Sequence, residues 1–133
     1  GRPRMILDTS AAIELLLRTE KGDQVLELVS AEDAEIHAPH LLVTEVVQVM
    51  RRQVRSNVLD VSRAAESLSI LSELGIQFHG HLPLMARTWQ LRENVSAYDA
   101  TFIALAETLN QPLVTADARL GNAPGFGATI LVI

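Results

Sequence analysis

Short apolar runs alternate along this chain with longer amphipathic patterns, and that alternation limits the fold more than any other feature of the sequence. The runs are Met5-Ile6-Leu7, stopped by Asp8; Ile36-His37-Ala38, stopped by Pro39; Ile76-Gln77-Phe78, just before Gly80; Leu113-Val114-Thr115, closed by Asp117; and residues 129–133. Each is too short for a helix and suits a buried strand. Helical patterns fill residues 10–18, 23–29, 40–55, 60–74, 84–91 and 97–109. Leu42, Val46, Val49 and Met50 share one face of the third, and Ala64, Ala65, Leu68, Leu71 and Leu74 share one face of the fourth. Gly75 is placed to end that fourth helix. Strand–helix alternation predicts an α/β sandwich on a mostly parallel sheet.

At 133 residues the chain is one domain, read as residues 5–133. Met5 is taken as the natural start, with residues 1–4 as an added remnant. No cysteine is present, which excludes disulfides, thiolate zinc sites, iron–sulfur clusters and thiol nucleophiles. No apolar run reaches the roughly 18–20 residues that span a bilayer. Asp8 and Glu14 interrupt the only stretch resembling a secretion signal. A cytoplasmic protein without membrane contact is expected.

The net charge of −5 is wrong for passive electrostatic binding of nucleic acid, so any such partner is approached with help from bound cations. Lys21 is the single lysine and no glycine-rich run precedes it, which removes a P-loop.

Ligands of open parallel sheets collect beyond the carboxyl ends of the strands. Asp8 and Asp117 stand there, each ending an apolar run. Taken singly they read as helix caps, as does Asp99 in Ser96-Ala97-Tyr98-Asp99. Glu45 is harder to assign to a cap. At about 100° per residue, Leu41 and Val49 fall about 40° either side of it, and Arg52 about 20° away. Ile103 and Ala106 fall about 40° and about 20° from Asp99. Carboxylates flanking an apolar stripe need a partner, because an unpaired buried charge is costly. A shared divalent cation is one such partner; an arginine, Arg52 or Arg119, is the other. Hard cations such as Mg²⁺ take oxygen ligands, keep several waters and support phosphoryl chemistry by activating water.

Four segments in order, Met5-Ile6-Leu7-Asp8-Thr9-Ser10-Ala11, Pro39-His40-Leu41-Leu42-Val43-Thr44-Glu45, Ser96-Ala97-Tyr98-Asp99-Ala100 and Val114-Thr115-Ala116-Asp117, together resemble the PIN-domain ribonucleases, VapC-type toxins above all. The resemblance runs from Met5 onward. It implies a three-layer α/β/α sandwich and an acidic Mg²⁺ or Mn²⁺ site of Asp8, Glu45, Asp99 and Asp117, with Thr9, Ser10 and Thr115 as supporting polar residues. It also implies a homodimer and a cognate antitoxin protein, whose arginine would suit an acidic cleft. Leu120 stands where the family often has an aromatic, and Arg119 lies near the place where some members have a further acid.

The expected function is that of a Mg²⁺-dependent endoribonuclease cutting RNA by metal-activated water, the toxin of a toxin–antitoxin pair. Two other classes compete with it. One is a non-catalytic PIN-like module binding RNA or protein. The other is an aspartyl-phosphate receiver or phosphatase, disfavoured by the lack of a suitable lysine and of a second Asp two residues after Asp8. Arg51, Arg52 and Arg55 form a basic ridge, either a solvated helix end or an RNA contact. Trp89 is expected to pack rather than stack on a base, and Tyr98 is a candidate stacker. His37, His40, His79 and His81 lack zinc-motif spacing and are assigned to loops or caps. Residues 10–17 and 41–50 carry more apolar residues than one stripe needs and are the expected dimer surfaces.

Overall fold

The computed structural model describes residues 3–133, so Gly1 and Arg2 of the segment set aside above lie outside the described residues. The chain runs β1 (Arg4–Leu7), α1 (Thr9–Leu17), α2 (Glu20–Val29), β2 (Glu35–Pro39), α3 (Leu41–Arg55), α4 (Val61–Glu73) and β3 (Gln77–His79). A 3₁₀ turn (Leu82–Leu84) leads to α5 (Met85–Gln90), α6 (Ala97–Leu109), β4 (Leu113–Thr115), α7 (Ala118–Gly121) and β5 (Ile130–Val132). Arg4 belongs to the sheet: it is in register with Glu35, and its Nε donates to that carboxylate at 2.7 Å.

All described strand pairings are parallel, in the order β3-β2-β1-β4-β5. Central β1 and β4 are buried almost throughout, as a sheet covered on both faces requires. By the right-handed rule for parallel crossovers, this strand order sends α1 to α4 over one face and the return from β3 to β4 puts α6 on the other. Helix α6 is apolar nearly all round, and Ala100 to Ala106 are all buried. It packs on β1, β2 and β4, while α1 touches β4 and α3 touches β2. The result is the expected three-layer α/β sandwich.

Two glycines are needed where they stand. A Cβ on Gly22 would come 2.1 Å from the Glu14 carbonyl oxygen, so only glycine lets α2 cross α1 this closely. Helix α2 therefore starts at Glu20, capped by Thr19, three residues before the expected start. Gly75 ends α4 at φ +70°, in the left-handed region, as the sequence predicted.

Of the histidines expected in loops or caps, His40 and His81 do precede helical turns, but His37 and His79 lie in strands, where the pairing of β2 with β3 takes them in. His37 on β2 and His79 on β3 are hydrogen-bonded through Nδ1 and Nε2 at 2.9 Å. His40 stacks on Phe78 with ring centroids 5.8 Å apart. His81 Nε2 accepts the Leu41 N–H at 3.0 Å and so serves the start of α3, whose own N-cap His40 makes no side-chain bond. Trp89 does not pack in the core. It is 66% exposed, because α5 is short and buries none of its residues, and Arg92 lies 4.5 Å over its ring.

Candidate metal centre

In this strand order the winding reverses between β1 and β4, and the crevice beyond their carboxyl ends is the natural ligand position of an open parallel sheet. Asp8 follows β1 and Asp117 follows β4, and the Asp8 N–H donates to the Val114 carbonyl at 3.1 Å. Helix α3 brings Glu45 and the start of α6 brings Asp99 to the same place. All four carboxylates line one cleft of about 380 Å³ together with Thr9, Ser10, Ile13, Glu14, Val49 and Phe102.

Asp8 and Glu45 are aimed by bonds to their carboxylates, and Asp99 and Asp117 are set by bonds to their backbone N–H groups. Asp8 caps α1: its Oδ1 accepts from the Ala11 N–H at 3.0 Å and from Ser10 Oγ at 2.7 Å. Ser10 Oγ also accepts the Ala116 N–H at 2.9 Å and lies 3.2 Å from Thr115 Oγ1, which accepts the Asp117 N–H at 3.0 Å. Ser10 and Thr115 thus fasten the ends of β1 and β4 to each other. Thr9 Oγ1 donates to Glu45 Oε1 at 2.6 Å, tying α1 to α3. Ser96 Oγ accepts the Asp99 N–H at 3.1 Å, capping α6. Capping and convergence are not alternatives here. The caps hold the carboxylates in place.

The electrostatics separate three of the four from the last. Asp8 is 7% exposed, and burial pushes its carboxyl above the usual range against the pull of its hydrogen bonds. Burial also raises Glu45, with Asp99 and Asp8 adding repulsion. Asp99 is raised by burial first and then by Asp117. Asp117 goes the other way, lowered chiefly by its hydrogen bonds from the Arg119 side chain. Arg119, named above as a possible arginine partner of the stripe-flanking Glu45 and Asp99, pairs with Asp117 instead. Arg52 is exposed, and Glu45 takes its bond from Thr9 instead.

Three raised carboxylates lining one cleft form a donor set short of positive charge. Among the described residues, no group of three or more carboxylates and imidazoles could hold an ion by direct ligation. Such an all-oxygen, partly spread set fits a hard divalent cation that keeps part of its water shell. Ile13, Val49 and Phe102 supply an apolar wall to the cleft.

Glu14 was missed as a cleft residue, although it stands four residues after Ser10 and hence on the same helix face. Its carboxylate accepts from Thr19 Oγ1. Of the basic ridge, Arg51 and Arg55 border an apolar groove between α3 and α4 with Val47, Met50, Val54 and Val61, away from the acidic cleft. Among the described residues, no helix is long and apolar enough to cross a membrane.

A family model described as PIN domain matches residues 5–125. The chain is 37% identical over 129 residues to ribonuclease VapC1 of Mycobacterium tuberculosis, covering 96% of this chain and 96% of that protein. Among solved structures, VapBC2 from Rickettsia felis, bound to a DNA fragment from their promoter, aligns with a TM-score of 0.70 and 12% identity over 97% of this chain and 98% of that one. VapBC-5 from Mycobacterium tuberculosis, a member of the VapBC family of toxin–antitoxin systems, aligns with a TM-score of 0.57 and 20% identity over 98% of this chain and 97% of that one. Those two likenesses bear on the fold.

Proposed function

The chain belongs to the PIN-domain family, and on that premise we propose that it is a divalent-metal-dependent endoribonuclease that cuts RNA phosphodiester bonds and acts as the toxin of a toxin–antitoxin pair. The observation that carries the reading is the convergence of Asp8, Glu45, Asp99 and Asp117 on one cleft at the switch point of the sheet. Asp8, Glu45, Asp99 and Asp117 would hold Mg²⁺ or Mn²⁺, in large part through water. A cation bound there would supply Lewis acidity, making a water more acidic and offsetting charge on the leaving oxygen.

The chain's own residues supply position and basicity. Ser10 and the Ala11 N–H fix the Asp8 rotamer at the floor of the cleft. Thr9 orients Glu45, and Ser96 sets the start of α6 beneath Asp99. Glu45 and Asp99 are half-buried on the cleft wall, where a carboxylate that reaches the cation through water can take a proton from the attacking water. The water attacks phosphorus in line with the departing 3′ oxygen.

In the same proposal the chain works in the cytoplasm as a homodimer silenced by a cognate antitoxin protein. The toxin–antitoxin membership of the VapBC-5 neighbour supports the partner, and an acidic cleft is complementary to a partner's arginine. Of the expected dimer surfaces, α1 turns Ala11, Ala12 and Leu16 into the core, while α3 leaves Val43 and Val47 exposed. Sequencing the RNA 5′ ends that accumulate on expression, beside Asp8→Asn, tests the activity. New ends with the wild type alone are expected; none, or the same ends with the variant, contradict it.

A further inference from the structure

Asp117 alone among the four carboxylates has a cation of its own. Its Oδ1 accepts the Arg119 backbone N–H at 3.0 Å and Arg119 Nε at 3.1 Å, and its Oδ2 accepts Arg119 Nη2 at 2.8 Å. The guanidinium therefore closes a two-toothed grip on the carboxylate from two residues away. It does so in open water: the Arg119 side chain is 88% exposed, against 26% for Asp117. An ion pair that exposed is held weakly and can be exchanged at low cost.

The place of this pair matters more than its strength. Asp99 and Asp117 line two clefts at once. One is the acidic cleft, which no lysine or arginine lines. The other, of about 370 Å³, is lined by Asn94, Ser96 and Arg119 beside the two shared carboxylates. Among the described residues, Arg119 is the one cationic side chain on either. Of the alternatives on α3, Arg51 and Arg55 border the apolar α3–α4 groove, and exposed Arg52 lines neither cleft. A nucleic-acid strand entering the acidic cleft meets repulsion from the carboxylates and, in a chain of net charge −5, little attraction from elsewhere. Its phosphate beside the shared wall meets Arg119. A guanidinium grips a phosphate with the same two-pronged geometry it uses on a carboxylate.

We infer that Arg119 is an exchanging phosphate ligand. It occupies Asp117 while the clefts are free of RNA, and it passes its fork to the phosphate flanking the scissile one when RNA lies across both clefts. Asn94 and Ser96 line the pocket for the flanking nucleotide. The exchange frees Asp117 at the moment the metal site is needed, so RNA and metal each strengthen the binding of the other, by equal factors. This inference rests on the nuclease reading above and names how that site receives its substrate.

Two measurements on wild type, Arg119→Ala and Arg119→Lys test it. The first is Mn²⁺ affinity of the RNA-free protein, read from the free-ion spin signal. Removing the guanidinium is expected to tighten Mn²⁺ binding roughly two- to fivefold, the size of one exposed ion pair. The second is the KM for cleavage of a single-stranded RNA across a salt series. Arg119→Ala is expected to raise KM roughly tenfold with little change in kcat, and to flatten the dependence of log KM on log salt by about 0.7, one phosphate contact. Arg119→Lys restores the salt slope but not all of the affinity. Unchanged Mn²⁺ affinity overturns the hold on Asp117, and unchanged KM and slope overturn the phosphate contact; either result overturns the exchange. A wild type that cleaves no RNA sinks the nuclease reading and this one with it, an outcome distinct from a cleaving wild type matched by its variants.

Discussion

Asp99 does two things at once, and substitution separates them. Its backbone N–H is taken by Ser96, while its carboxylate sits half-buried beside Asp117, with its pKa raised. A raised folded-state pKa means that the metal-free protein takes up a proton on folding. Stability from this group is therefore complete below the ordinary carboxylate range and is lost as pH rises through the raised value. At neutral pH without metal, Asp99 is a cost. Asp99→Asn should melt a few degrees higher than wild type in EDTA, within the range that about 1 kcal/mol produces in a domain of this size. Wild type should gain about 2.7 kcal/mol with Mg²⁺ at 100 times its Kd, and the variant much less. Melting curves of both proteins with EDTA and with Mg²⁺ decide this. An unchanged Mg²⁺ shift in the variant removes Asp99 from the site.

At the scale of elements, two joints hold the site's scaffold. The first is the crossing of α1 and α2 at Gly22. Gly22→Ala drives a methyl into the Glu14 carbonyl and should cost about 3 kcal/mol in urea unfolding, since the obstacle is backbone and cannot turn aside. Helix α1 carries Thr9 and Ser10, so the same change should loosen Glu45 and Asp8. The second joint is Glu107 on α6. Its carboxylate accepts Arg87 Nε at 2.7 Å and Nη2 at 3.0 Å from α5, and the Gly127 N–H at 2.9 Å from the segment leading to β5. Those bonds from Arg87 lower its pKa, so its contribution is present above the ordinary carboxylate range and lost as pH falls through the depressed folded value. Glu107→Gln should cost about 1–2 kcal/mol near pH 7 and progressively less in acid, read from urea midpoints. An equal loss at every pH contradicts the charged bond.

The same elements show what the sequence could and could not reveal. Asp8 and Asp117 were legible because each stops an apolar strand, and a strand's end is fixed by its own residues. Glu45 was legible because helical periodicity alone places it beside the apolar stripe. The start of α2 was not, because Lys21-Gly22 reads as a break until α1 is in place beneath it. β3 lies one residue later than its apolar run, at Gln77–His79, where pairing with β2 sets the register. Arg119 was legible as a candidate partner, but that it grips Asp117 needed the turn into α7, four residues long and too short to leave a periodic trace. Trp89 was misjudged because aromatic identity says nothing about which side of a short helix is covered.

Over the whole molecule, the parallel sheet, the reversal of winding between β1 and β4, and the return through α6 bring four carboxylates from four distant stretches of chain into one cleft. The proposal is that a divalent cation joins them there, and it stands or falls on metal dependence. Cleavage of a single-stranded RNA by the purified chain, in EDTA and then with Mn²⁺ or Mg²⁺ added back, beside Asp8→Asn under the same conditions, is the most direct test. The wild type should be silent in EDTA and recover cleavage with either metal, and Asp8→Asn should lose at least a hundredfold in rate, on the order of what removing one such charged group costs. Full cleavage in EDTA, or an Asp8→Asn variant as active as the wild type, would contradict the account.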